Sequence, residues 1–171
     1  MNSMSRGYYE SCGKEKRREE EKCPTIIKCG CPSSTTIPAA TAAGTMFTLA
    51  SLTLDTSCIC DPSIKIDFAS NPVLTGFVGT LNLRVFKQCR NQFAPVPVGP
   101  TWTISSGAAV TDARTFSFFI CDSDSCDRDC CTYTVVATVV GAATAGTIAI
   151  NNSTLGAIAT CRESCKECRR G

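Results

Sequence analysis

Residues 64–68 read Ile-Lys-Ile-Asp-Phe, with Ile64, Ile66 and Phe68 alternating against Lys65 and Asp67. A period of two places the apolar side chains on one face and the charges on the other, the pattern of a half-buried β-strand. The same alternation returns in Phe77–Lys87, where Leu81, Leu83 and Val85 oppose Thr80, Asn82 and Arg84. Working outward, β-branched and aromatic runs predict further strands over Thr25–Cys29, Thr45–Leu54, Trp102–Ile104, Thr115–Cys121, Cys131–Val140, Thr144–Ile150 and Thr154–Ala159. Phe47 and Leu49 occupy one phase of their strand, Leu52 and Leu54 the other, which predicts a bulge near Ser51. Pro95 and Pro97 restrict Phe93–Val98 to an edge or a loop. Turn-forming residues fall between the runs, at Ser70-Asn71-Pro72, Gly99-Pro100, Ser106-Gly107 and Asn151-Asn152-Ser153.

No stretch of this body holds a helical period. Eight to ten short strands in about 135 residues predict an all-β fold, an antiparallel two-sheet sandwich of jelly-roll type. Its expected core is Phe47, Leu49, Ile66, Phe68, Leu83, Val85, Trp102, Phe116, Phe118, Val135 and Ile148.

Charge divides the chain of 171 residues into three parts: an N-terminal arm (1–24), a body (25–160) and a C-terminal tail (161–171). Residues 1–25 and 161–171 together hold 17 charges, whereas residues 26–160 hold only 15. A charge-poor body repels its own copies weakly and favours association. The net charge of +2 offers no reason to expect nucleic acid or an anionic membrane as partner. No run approaches the length of an apolar membrane span. Lys14–Lys22 is charged at all nine positions, and without an apolar face a helix there would not hold unaided.

The chain has 14 cysteines and no histidine. Lacking imidazole, it is excluded from Ser-His-Asp and Cys-His hydrolysis and from histidine-bearing zinc sites. No nucleophile–base pair stands out, so an enzyme is not expected, nor a small-molecule substrate or a cofactor. The cysteines are Cys12 and Cys23; Cys29 and Cys31; Cys58 and Cys60; Cys89; Cys121, Cys126, Cys130 and Cys131; and Cys161, Cys165 and Cys168. Structural zinc usually draws on paired knuckles with two intervening residues, a spacing that only Cys165–Cys168 has. Cys161, Cys165 and Cys168 have the spacing of radical iron–sulfur enzymes, but they lie at the end of an all-β chain instead of early in an α/β barrel. Asp122, Asp124, Asp127 and Asp129 bring oxygen ligands to one loop. There the calcium-loop pattern breaks, because Cys126 takes a ligand position and no Gly or Glu follows. Disulfides remain the leading account. Cys12, Cys23, Cys165 and Cys168 fall outside the strands, on segments able to reach a neighbour. With Cys130 and Cys131, adjacent at a strand start and so facing opposite sides, they are the expected interchain set.

This cysteine usage suits an oxidising exterior, yet the first residues lack the apolar stretch of a secretory signal. Metal ligation, unusual export or release by lysis would each reconcile the two.

The runs IIKCGCPSSTTIPAATAAGTMFTLASLTLDTSCICDPSIKIDFAS (26–70), FKQCRNQFAPVPVGPTWTIS (86–105) and FSFFICDSDSCDRDCCTYTVVATV (116–139) resemble a family of small cysteine-rich proteins of unassigned function from clostridia and related spore formers. The likeness covers roughly residues 26–161 and leaves out the charged tails. It implies a spore-forming cell, in which a surface protein is made in the mother cell without a signal peptide and exposed on lysis. In architecture, a sandwich with a cysteine-bearing arm is similar to the subunits of bacillar endospore appendages. The expectation is a self-assembling, disulfide-crosslinked subunit of a fibre or layer on the spore surface, its partners copies of itself. The alternatives are a monomeric β-sandwich binding module or adhesin, and a cysteine-rich metal-binding protein.

Overall fold

In the computed structural model, which describes residues 24–59, 61–123 and 130–161, the chain forms seven strands and no helix among those residues. They are β1 (Ile26–Cys29), β2 (Ser33–Ile37), β3 (Met46–Asp55), β4 (Pro62–Cys89), β5 (Val96–Ala113), β6 (Phe116–Asp122) and β7 (Cys130–Cys161). Every pairing is antiparallel. The 28 residues of β4 would extend about 90 Å if straight, far beyond a body with a radius of gyration of about 14 Å. The strand must therefore bend, and β7 must bend with it.

The bend falls where the β4–β7 register slips, between Thr75↔Thr147 and Thr80↔Val140. Gly76 (φ 56°), Gly79 (φ 153°), Gly141 (φ 80°) and Gly146 (φ 62°) supply it. Gly146 meets two demands at once. Its φ is left-handed, and a Cβ there would stand 2.1 Å from the Gly76 carbonyl oxygen, so the two strands cross in contact at the corner.

Beyond the corner the ribbon enters a second sheet. The first sheet runs β6, β4 (62–75), β7 (145–161), with β1 and β2 sharing the outer edge. The second runs β5, β4 (77–89), β7 (130–140), β3. Two four-stranded sheets exchanging strands in this order are a jelly roll. The runs read separately as 64–68 and 77–87, and the three read across 131–159, are thus continuous strands. Ser70-Asn71-Pro72 and Asn151-Asn152-Ser153 are not turns but facing irregularities in one ladder, where Asn71 pairs with Asn151 and Asn152 has φ 53°. The bulge in β3 lies between Thr48 and Ala50, just ahead of its expected place at Ser51. β5 is an edge strand, as its prolines require.

The core lies between the sheets. Leu49, Ile66, Phe68, Leu83, Val85, Phe118, Val135 and Ile148 are buried in it, with Phe47, Trp102 and Phe116 packed at its margin. One flank closes by ring stacking of Trp102 on Phe118, centroids 3.8 Å apart. The other closes by hydroxyls, Ser33 donating to the Leu49 carbonyl and Thr35 to that of Thr48.

The corner generates a stability test. Gly146→Ala should cost about 2–4 kcal/mol, through backbone strain together with displacement of Gly76. Gly107→Ala, with open space around it, should stay within about 0.5 kcal/mol. Denaturant midpoints of the two variants check this.

Candidate functional site: a cysteine-bearing pole

The registers carry most of the described cysteines to one end of the sandwich. Pro62 pairs with Cys161, Ile64 with Asp122, Cys89 with Cys131 and Asp55 with Cys130. These pairs set Cys89, Cys121, Cys130, Cys131 and Cys161 at the pole opposite the glycine corner, where the β3–β4 turn also places Cys58. The chain enters and leaves the body at this pole, Thr25 lying beside Thr160. Cys29, paired with Gly156, and Cys31 sit further along the sheet but still in that half. Cys12, Cys23, Cys60, Cys126, Cys165 and Cys168 lie outside the described residues, as do Lys14–Lys22, Asp124, Asp127 and Asp129.

Cys89 and Cys131 form a disulfide across directly opposed positions of β4 and β7, Cα atoms 4.0 Å apart. Both are buried. This corrects the interchain role expected of Cys131: an inward-facing sulfur already bonded within its own chain is closed to a neighbour. Closing a loop of 42 residues stabilises the fold by about 4 kcal/mol on a chain-entropy estimate. Cys58 and Cys161 are disulfide-bonded as well. Cys130 turns away from the core and is half-buried, as alternation with Cys131 demands. The thiols of Cys29, Cys31 and Cys121 are exposed and unbonded.

Two rungs below the disulfide, Lys87 stands opposite Tyr133. Both reach the same oxygen of Asp122, which arrives from β6 in the other sheet: Lys87 Nζ lies 2.9 Å from Oδ2, and the Tyr133 hydroxyl donates to it at 2.7 Å. All three side chains are buried. Burial first, and then the hydrogen bond to the Asp122 carboxylate, hold the Tyr133 hydroxyl far above the usual phenol range. The trio is a polar clasp tying sheet to sheet under the cysteine pole, with no face left open to a substrate. Asp122 thereby leaves the acidic set once considered for calcium, because its carboxylate points into the core. The clasp was missed in the sequence although a signal existed. Lys87 continues the inward phase of Leu83 and Val85, and Asp122 that of Phe118 and Ile120.

Two shallow depressions mark the outer faces. A cavity of about 380 Å³ on the second sheet is lined by Met46, Thr48, Phe86, Gln88, Thr132 and Thr134. The other, on the first sheet, is lined by Asp67, Thr154, Gly156, Ser117 and Phe119. Among the described residues no three Cys, Asp or Glu side chains gather as metal ligands would.

A family model described as a domain of unknown function, DUF4489, matches residues 23–160. The chain belongs to the DUF4489 family. Solved structures similar to this DUF4489 chain include the VP2 subviral particle of infectious bursal disease virus, at 11% identity and TM-score 0.43 over 82% of this chain and 37% of that one. A non-crystalline cellulose specific carbohydrate-binding module, CBM28, is 18% identical with TM-score 0.37 over 66% of this chain and 72% of that one. Eiger TNF from S. frugiperda is 7% identical with TM-score 0.42 over 84% and 98%. The chain spans less than two-fifths of the length of the viral chains it matches. A search of curated proteins finds no match.

The clasp generates a pH test. A phenol whose folded pKa is raised stabilises the fold fully below its unfolded pKa, about 10, and that contribution is lost as pH climbs above it. Wild-type stability should therefore fall above pH 10 by up to about 1.4 kcal/mol per pH unit more steeply than that of Tyr133→Phe. Asp122→Ala, which strands the Lys87 ammonium in the core, should cost about 3–5 kcal/mol at neutral pH. Urea denaturation at stepped pH reads both.

Proposed function

We propose that this DUF4489 protein is a self-assembling structural subunit of a disulfide-crosslinked fibre or layer on the endospore surface. The observation that carries the reading is the polar distribution of cysteine: six described cysteines and both exits of the chain share one end of a charge-poor sandwich. A body of this size closes its own core without such crosslinks. Sulfur concentrated where the tails depart suits covalent linkage between copies. The tail thiols Cys12, Cys23, Cys165 and Cys168 serve as linkers, and the sandwich is the rigid spacer between links. The chain catalyses nothing in this role and takes no cofactor.

A second reading is favoured by the depression on the second sheet. An outer-face hollow lined by Phe86, Met46 and threonine hydroxyls offers a ring and hydrogen-bonding groups to a bound chain, as a monomeric binding module would.

Assembly separates the two. Purified in air, the protein should form species that survive boiling in detergent and dissociate with strong reductant. Electron microscopy should show a regular polymer. Removing residues 1–24 should leave a folded, mostly monomeric sandwich, and Cys12→Ser with Cys23→Ser should make association detergent-sensitive. A clean monomer on a non-reducing gel, with its thiols paired internally, would favour the binding module instead.

A further inference from the structure

The first sheet holds exposed thiols on both of its outer strands. β6 pairs with β4 alone and β1 with β7 alone among the described residues, so each keeps one unpaired backbone edge. Following the registers across the sheet, Cys121, Lys65, Ile158 and Ile27 form one rung, and Phe119, Asp67, Gly156 and Cys29 form the next on the same face. That face is the outer one: Ile27 is 71% exposed and Phe119 62%. Cys121 and Cys29 therefore point the same way from opposite margins of one sheet, offset by two residues, and both are unbonded.

Strand direction makes the two margins complementary. β6, β4, β7 and β1 alternate in direction, so β6 and β1 run opposite ways. A second copy placed beside the first by a simple screw step brings its β1 antiparallel to β6 and keeps outer faces continuous. We propose that copies of this chain join edge to edge through a disulfide between Cys121 of one and Cys29 of the next. The proposal rests on the subunit reading: the tail linkages first bring copies side by side, and the edge disulfide then adds a lateral bond that does not form without them.

Directly opposed residues of an antiparallel pair stand about 4.5–5.5 Å apart at Cα, within the span a disulfide needs. The molecule already bonds opposed strand positions in this manner at Cys89 and Cys131. Placing Cys121 opposite Cys29 slips the second copy by two residues, about 7 Å, from a level continuation of the rungs. Phe119 of one copy and Ile27 of the next then flank the sulfurs along the seam. Four residues of β1 are too short an edge to hold a neighbour by backbone bonds alone, which prevents uncontrolled pairing until the sulfurs join.

The oxidant is a small-molecule disulfide. The Cys121 thiolate attacks it, forming a mixed disulfide and releasing one small thiolate. The Cys29 thiolate of the next copy then attacks the Cys121 sulfur and releases the second. Two protein thiols lose two protons and two electrons, and one small disulfide becomes two small thiols.

The test mixes full-length protein labelled with light and heavy nitrogen, oxidises it with glutathione disulfide, and maps crosslinked peptides by mass spectrometry. The expected result is a Cys29–Cys121 peptide in which about half the molecules carry one light and one heavy partner. Either Cys29→Ser or Cys121→Ser alone should abolish that peptide. An equimolar mixture of the two variants should restore it, with Cys121 always from the Cys29→Ser copy. Unchanged circular dichroism of both variants shows that they fold. If wild-type protein polymerises and no mixed-label Cys29–Cys121 peptide forms, the edge bond is wrong while the subunit reading stands. If wild-type protein stays monomeric in the oxidant, both fall.

Discussion

The antiparallel pairing of β4 with β7 is the constraint from which the rest of the body follows. These two strands share a ladder from Pro62↔Cys161 to Cys89↔Cys131, through a corner where Gly146 lies against Gly76. Because the ladder turns at mid-length, each half must recruit its own flanking strands: β6, β1 and β2 on one side of the corner, β3 and most of β5 on the other. The folded ribbon faces itself, and the apolar sides of both halves meet as one core. The same geometry brings the four far ends of the ribbon together. A chain that placed cysteines near those ends has gathered them in space without any local spacing rule.

At that gathered end, two kinds of bond resist opening. The Cys89–Cys131 disulfide fixes β4 to β7 within one sheet, and the Lys87–Asp122–Tyr133 clasp fixes one sheet to the other. The clasp is exacting: a buried charge pair stabilises only while every partner is present, so it locks one arrangement of β6 against the second sheet. Hydrophobic packing of Trp102 on Phe118 tolerates small slips, whereas a carboxylate shared by an ammonium and a phenol does not.

Strand existence was legible because alternation such as Ile64-Lys65-Ile66 reports directly on which face is wet. Strand continuity was not. Asn71-Pro72 and Asn151-Asn152 have the composition of turns, yet they face each other in a ladder whose cross-strand bonds override local preference. β2 went unread because Ser-Ser-Thr-Thr-Ile offers no apolar alternation, and only Ile37 of it is fully buried. Lys87 and Asp122 were in phase with the core but were passed over, since charges are ordinarily read as solvent-facing. The partner of Cys89 was beyond reach for a different reason. It is set by a register that depends on the corner slip, and no spacing in the chain encodes that slip.

The side-by-side exits of the chain have a mechanical consequence. Pro24 leads into β1 and Cys161 ends β7, and these neighbouring strands run antiparallel with those ends together. Tension applied between the two exits peels β1 from β7 one rung at a time, starting at Ile26↔Ala159, instead of shearing many rungs at once. The load is spent on four rungs of β1 before it reaches the β4–β7 ladder. Under strain the body would thus yield a short length of slack and keep its core shut, behaving as a tether with a sacrificial stretch in front of a rigid block.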